Sequence, residues 1–384
     1  MAKLMEDAAA GNARFYIQFG GQGAPWYKEL AAYYKGGTMQ PFFDVVLKAL
    51  EEEVPGLDGA VGLPEGLEAR KWLDDDSSLP AEDYLGCAAV SIPMIQITQL
   101  AHFENLHNNG YDRAKLIEYS KGATGHSQGL IPASLIAMGL SGDEYYANVA
   151  QYVKYLLYLG VRAQEAYPHF APTEDEIKAS EALGGKVPSP MVACLGGTHE
   201  EIQALVDEVN GTLPEAEKIY LSLYNSPTNR ILSSFRGSLI KFHEKIKDKV
   251  DAKELKYVYL RTTCPFHCPL MEGVREPFEK DIARLKFSYP GSALKVPVYS
   301  FFDARNMQDD AELAINMYVD MAINPLYWDK SIQPVKDDAG ITHVLDMGPG
   351  KTSQRLTQDT LKGMGSETPV LAAGVPKDLK TLLA

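Results

Sequence analysis

The sequence predicts a two-part α/β fold: a larger α/β unit carrying a small inserted βαββαβ unit of the ferredoxin-like kind. Three observations carry this. The apolar run Phe15–Phe19 ends in Gly20-Gly21-Gln22-Gly23, a strand entering a glycine-rich turn. A second strand-turn-helix pattern spans 119–140, with Gly125-His126-Ser127-Gln128-Gly129 at its turn. From residue 191 onward, apolar runs and amphipathic stretches follow in the order β-α-β-β-α-β, the split βαβ pattern.

The elements follow in order. Helical spacing covers 27–34 and 42–52, and the Gly- and Pro-rich stretch 56–68 reads as loop. Residues 93–109 read as a largely buried helix, 130–139 as an apolar helix and 144–166 as a long helix rich in Tyr and Leu. The texture changes near 184–190. The inserted unit is therefore set at 184–263, between the two halves of the larger unit, 1–183 and 264–384. Within it Met191–Leu195, 219–224, 230–234 and 256–263 are strands, and 199–209 and 238–250 are helices. Beyond it come a strand over 296–301, helices over 311–321 and 325–335, a strand over 342–346 and a helix opening at Lys351.

Bulk properties narrow the function classes. The 384 residues are 45% hydrophobic and 23% charged, ordinary for a globular protein. The formal charge is −14, which argues against nucleic acid and against anionic membranes as partners, since both attract basic proteins. Four cysteines in this length make no disulfide framework. The start of the chain has no apolar signal-like segment, and the apolar stretch 85–100 is broken by Ser91, Pro93, Gln96 and Thr98. No membrane insertion is expected, and a cytoplasmic enzyme or enzyme domain is the default.

Four motifs could carry chemistry. Gly-His-Ser-Gln-Gly at 125–129 fits G-x-S-x-G, in which a serine on a sharp turn points its hydroxyl outward and a following helix offers free N–H groups. A serine needs a base, and His267 in Cys-Pro-Phe-His-Cys at 264–268 lies at a unit junction from which it could reach the elbow. A metal site from Cys264, His267 and Cys268 is disfavoured: adjacent residues cannot easily share one tetrahedral ion, and no spaced second pair is present. Gly21-Gln22-Gly23 could bring a backbone N–H to an oxyanion. Met-Gly-Pro-Gly-Lys-Thr at 347–352 is not a phosphate loop, because Leu345 stands where that motif needs glycine; a tight turn near the site remains.

Together these motifs resemble the acyl-CoA:carrier-protein acyltransferases. The matching features run in family order: Gly-Gln-Gly at 21–23, Gly-His-Ser-Gln-Gly at 125–129, Tyr-Asn-Ser-Pro-Thr-Asn-Arg-Ile-Leu-Ser at 224–233, Pro-Phe-His at 265–267, Asn-Pro-Leu-Tyr-Trp at 324–328 and Gly-Pro-Gly at 348–350. The likeness is closest to the acetyl-loading acyltransferase domain of fungal-type and related bacterial type I fatty acid synthases. Trp-Leu-Asp-Asp-Asp at 72–76 and Gly-Val-Arg-Ala-Gln-Glu-Ala-Tyr-Pro at 160–168 are similar to that branch. The resemblance implies an α/β-hydrolase-like larger unit, Ser127 as nucleophile and His267 as general base. It implies an oxyanion hole from the N–H groups of Gln22 and Gln128. The His267 ring is then oriented by a backbone carbonyl before 324–328, taken as that of Met321, with Asp346 or Asp303 as carboxylate alternatives. Asn225 and His126 are expected in the substrate pocket.

The resemblance also implies a substrate. Malonyl-transferring members carry Arg-Gly after the elbow, where this chain has Leu159-Gly160; Arg162 follows one turn on. An apolar residue cannot offset desolvation of a carboxylate, so an uncharged acyl group, acetyl or longer, is expected. The expected donor is acyl-CoA or a carrier thioester, the acceptor is the phosphopantetheine thiol of an acyl carrier protein, and no permanently bound cofactor or metal is required. The mixed but basic-rich stretch 236–261 offers a docking face for an acidic carrier. An acyl-thioester hydrolase, a malonyl transferase and a catalytically silent docking module of a synthase stay open as alternatives.

Overall fold

The computed structural model describes residues 2–384. Its strands, in chain order, are β1 (Phe15–Phe19), β2 (Ser120–Gly125), β3 (Met191–Leu195), β4 (Tyr220–Ser226), β5 (Asn229–Ser233), β6 (Lys256–Tyr259), β7 (Leu326–Tyr327), β8 (His343–Asp346) and β9 (Val370–Ala372). They form two sheets. The larger unit holds a parallel sheet in the order β2-β1-β8-β9. Every residue of β1 is buried, as expected for a parallel strand covered on both faces.

The second sheet has the order β6-β3-β5-β4-β7. Its first four strands pair antiparallel, and with the helices His199–Asn210 and Arg236–Asp251 they make the expected βαββαβ unit. Thr198 opens the first of these helices with a capping box to Glu201, which satisfies otherwise unpaired N–H groups. A separate apolar cluster fills this unit, built from side chains such as Val192, Leu232, Leu239 and Phe242.

Three differences from the sequence reading have physical causes. The strand expected over 296–301 shrinks to bridges at Val298 and Tyr299, because Pro297 has no N–H to donate. The helix expected from residue 325 begins at Trp328, because Leu326 and Tyr327 are taken up as β7, parallel to β4. The last strand of the small unit ends at Tyr259 rather than 263, and the chain turns toward the cavity. The helix Glu174–Ala182 carries few apolar residues, whereas Arg275–Leu285 has Phe278, Ile282 and Leu285 at helical spacing, a signal legible in the sequence but passed over.

The core of the larger unit is built on the helix Ala88–Asn108, almost wholly buried, crossed by Gly142–Ala166. The crossing is close at Gly160, where an added Cβ would stand 2.7 Å from the carbonyl oxygen of Ala88. Gly160→Ala is therefore expected to cost about 1–3 kcal/mol, as overpacking of a tight contact does. Thermal melting checks this, and an unshifted Tm would show that the two helices part freely.

Candidate active site

Ser127 follows β2 at the head of a single 3-10 turn, Ser127–Gly129, which runs into the buried helix Leu130–Ala137. Its φ is +55°, a strained value for a residue with a Cβ. The turn closes only because residue 129 is glycine: a Cβ there would lie 2.4 Å from the Phe19 carbonyl oxygen. The loop after β1 is packed just as closely, since a Cβ on Gly21 would stand 2.7 Å from His126 Nδ1 and 3.4 Å from Ser127 Cβ.

His267 comes from the loop leaving the small unit. It too is left-handed, with φ +63°, and its backbone N–H donates to Ala322 O at 2.8 Å. Its Nε2 lies 2.7 Å from Ser127 Oγ, and its Nδ1 lies 2.9 Å from Asn324 O. The carbonyl acceptor fixes the tautomer: Nδ1 carries the proton, so Nε2 is free to accept from the serine. Met321 is thus corrected to Asn324. Met321 sits inside the helix Leu313–Ala322, where carbonyls run along the axis, whereas Asn324 lies past its end and its chain folds back through its N–H to Val319 O. The carboxylate alternatives do not touch the ring. Asp346 accepts from Gly348 N and Ser353 Oγ, and Asp303 pairs with Arg305.

Gln22 and Gln128 flank Ser127 from two elements. The Gln22 side chain donates to Ser91 Oγ at 2.6 Å and accepts from Thr262 Oγ1, while that of Gln128 donates to Ile92 O at 3.1 Å. With both side chains pinned, their backbone N–H groups have no acceptor among the described residues. Two such donors beside a serine hydroxyl are what an oxyanion requires. The turn at 348–350 borders this loop: Gln99 Nε2 donates to both Gly20 O and Gly348 O, at 2.7 and 2.9 Å.

Ser127, His126 and His267 line a cavity of about 220 Å³ between the two units. His126 Nε2 lies 2.8 Å from Asn225 Oδ1, and both residues line the cavity. Its remaining wall is largely apolar, including Met191, Ala193, Leu223, Ile231 and Phe266. Sequence reasoning missed these; the alternation along β3, β4 and β5 was the available signal.

Leu159 and Arg162 do not reach the cavity, which corrects the expected pocket. Leu159 is wholly buried in the helical core. Arg162 is held by Asp281 at 2.6 Å and by Glu165 at 2.8 Å, two carboxylates that fully engage the guanidinium. Among the described residues the one basic side chain lining the cavity is Arg261, exposed at the mouth and paired with Glu82. The stretch 236–261 is not a field of one sign. Lys245, Lys247 and Lys249 pair with Glu208, Asp251 and Glu254, and Arg236 is buried against the carbonyls of Phe170 and Ala171. The four cysteines are free and buried, and burial raises the Cys264 and Cys268 thiols, the latter to about 12.

The fold is the one found in carrier-protein transacylases of known structure. The fold is that of the malonyl CoA-acyl carrier protein transacylase from Clostridium perfringens, with TM-score 0.66, 19% identity, and 97% of this chain and 96% of that one covered. It is also that of PlMCAT, a malonyl-transacylase solved in complex with the type II PKS acyl-carrier protein AntF, with TM-score 0.65, 19% identity, and 97% and 99% covered. The chain belongs to the family described as starter unit:ACP transacylase in aflatoxin biosynthesis, whose model matches residues 17–267. It is similar to fatty acid synthase subunit beta of Saccharomyces cerevisiae, with 29% identity over 91% of this chain and 18% of that protein. The same subunit of Schizosaccharomyces pombe is 29% identical over 90% of this chain and 17% of that protein. The chain thus spans under a fifth of the length of these relatives.

Burial sets the protonation of the site. It pushes His267 from 6.5 down to about 3, partly opposed by the hydrogen bond to Asn324, and it pushes His126 down to about 4. Both rings are neutral at neutral pH. Because the unfolded chain takes up these protons near 6.5 and the folded one does not, both histidines subtract stability as pH falls below that value. Asp346, raised by burial from 3.8 to about 6, has the opposite sign: the folded state holds its proton between those values. In a titration of ¹⁵N-histidine protein, His126 and His267 should keep neutral-ring shifts through pH 6.5. A midpoint there for either would contradict its burial.

Proposed function

We propose that the chain moves an uncharged acyl group, acetyl or longer, from a CoA or carrier thioester to the phosphopantetheine thiol of an acyl carrier protein, in fatty acid or polyketide synthesis. The observation that carries this is the 2.7 Å contact between Ser127 Oγ and a neutral His267 at the wall of a cavity between two units. The family and the fold support the carrier as partner.

The chemistry runs in two half-reactions. His267 Nε2 takes the Ser127 proton as Oγ attacks the thioester carbonyl, and the N–H groups of Gln22 and Gln128 receive the oxyanion. The C–S bond breaks, and the imidazolium returns the proton to the departing sulfur. The acceptor thiol then loses its proton to His267 and attacks the ester, and Oγ leaves with that proton. The forming imidazolium faces the carboxyl end of the helix Leu313–Ala322, which favours positive charge. On this reading 184–263, set between 1–183 and 264–384, supplies part of the cavity wall and the strand leading to His267.

A short acyl-CoA should add one acyl mass to the peptide holding Ser127. Ser127→Ala should abolish the adduct, and His267→Ala should slow it by roughly 10²–10⁴-fold. Label on Cys264 or Cys268 would overturn the mechanism. With carrier present, transfer to its thiol should outrun release to water; equal thioester loss with and without carrier would make the chain a hydrolase.

Selectivity follows from the wall. Malonyl carries a carboxylate that loses water there without a buried cation to meet it. Acetyl-CoA should therefore beat malonyl-CoA by at least ~100-fold in kcat/KM, a gap of about 3 kcal/mol. Since Arg162 is held outside the cavity, Arg162→Ala should leave that ratio unchanged. Competition between the two donors checks both statements, and a malonyl preference lost in Arg162→Ala would refute them.

A further inference from the structure

We infer that Asp320 is a positioning residue for the Ser127–His267 pair, acting through Asn324. The inference rests on His267 being the base of the reaction proposed above. The ring is oriented by the Asn324 carbonyl, and that carbonyl lies beyond the end of the helix Leu313–Ala322, where helical hydrogen bonds no longer fix the chain. Two contacts fix it instead. The Asn324 N–H donates to Val319 O at 2.9 Å, and its side-chain Nδ2 donates to Asp320 Oδ1 at 2.9 Å.

Asp320 is itself anchored. It is 1% exposed, and its Oδ2 accepts from Ser300 Oγ and from Arg305 Nη2, each at 2.8 Å. Arg305 is held in turn by Asp310 at 3.2 Å and Asp303 at 3.0 Å. Burial raises the Asp320 carboxyl, while Arg305, Asn324 and Ser300 oppose that rise. In a serine triad the carboxylate binds the imidazole directly. Here a backbone carbonyl takes that place, and the carboxylate stands one residue behind it. Its charge is matched by Arg305, so the ring receives direction rather than field. The Asp320 carboxylate makes no hydrogen bond to the ring and does not line the cavity; only the backbone of that residue acts on His267 directly, so the side chain is a positioning group and not a catalytic one.

The test compares the full chain with Asp320→Ala, Asp320→Asn and Asn324→Ala, using a short acyl-CoA in single turnover. Asp320→Ala should slow acylation of Ser127 by about 10–100-fold, the usual effect of misplacing a reacting group by about an ångström, with KM unchanged. Asp320→Asn keeps an oxygen that accepts from Asn324 and should recover most of the rate. Asn324→Ala removes the same bond from its other side, should match Asp320→Ala, and reports even where Asp320→Ala does not fold. In resting enzyme, the downfield Nδ1–H proton of His267 should shift or broaden in the two alanine variants. Wild-type rates and an unmoved proton in both would overturn the inference, as would Asp320→Asn being as slow as Asp320→Ala. A wild-type chain that forms no Ser127 adduct, yet shows the proton change, would sink the proposed function and leave this inference standing.

Discussion

A serine and a histidine 140 residues apart meet at 2.7 Å because each holds a left-handed backbone that its surroundings enforce. Neither residue type favours that conformation, and each instance costs on the order of 1–3 kcal/mol. The cost is met by what lies around them. At Ser127 it is the packing of Gly21, Phe19 and Gly129, which leaves no room for a relaxed turn. At His267 it is the pair of bonds to Ala322 O and Asn324 O, which seize the residue at both its backbone and its ring. Both sheets, their connecting loops and the helix Leu313–Ala322 are needed to hold this one contact.

The same packing sets the chemistry. A buried imidazole loses its hydration, so the neutral form that can accept a proton is the stable one. On the proposed mechanism the oxyanion donors are the backbone N–H groups of Gln22 and Gln128, whose side chains are tied elsewhere. Most of the wall that β3, β4 and β5 give the cavity is apolar, with Asn225 and Asn229 as its polar members. Strain, desolvation and donor geometry here follow from one arrangement.

How much of this the sequence revealed varies with the range of the forces involved. The elbow was legible because its glycines sit at fixed spacing around the serine, although Gly129 is required by the distant Phe19 carbonyl and only Gly125 by its own turn. The split βαβ order was legible from periodicity, and so was the pairing of Ser127 with His267 once the motifs were taken together. What failed depended on rotation or register in three dimensions. Leu159 and Arg162 lie on the right helix, but its roll turns the first into the core and ties the second to Asp281. Met321 and Asn324 differ by less than one helical turn, and only the point at which the helix ends decides which carbonyl is free. The two residues of β7 have no period to detect; they are a strand because β4 is beside them.

The place of β8 in the parallel sheet bears on how the chain can be divided. It lies between β1 and β9, and it comes from the far side of the inserted unit in sequence. A fragment that stopped after His267 would keep Ser127 and His267 but would leave β1, with Phe15, Tyr16, Ile17 and Phe19, unpaired along one edge, the kind of surface that seeds intermolecular strand pairing. The portion of sequence that bears Ser127 and His267 is therefore shorter than the portion that completes the parallel sheet. Any trimmed version of this protein has to run through β9.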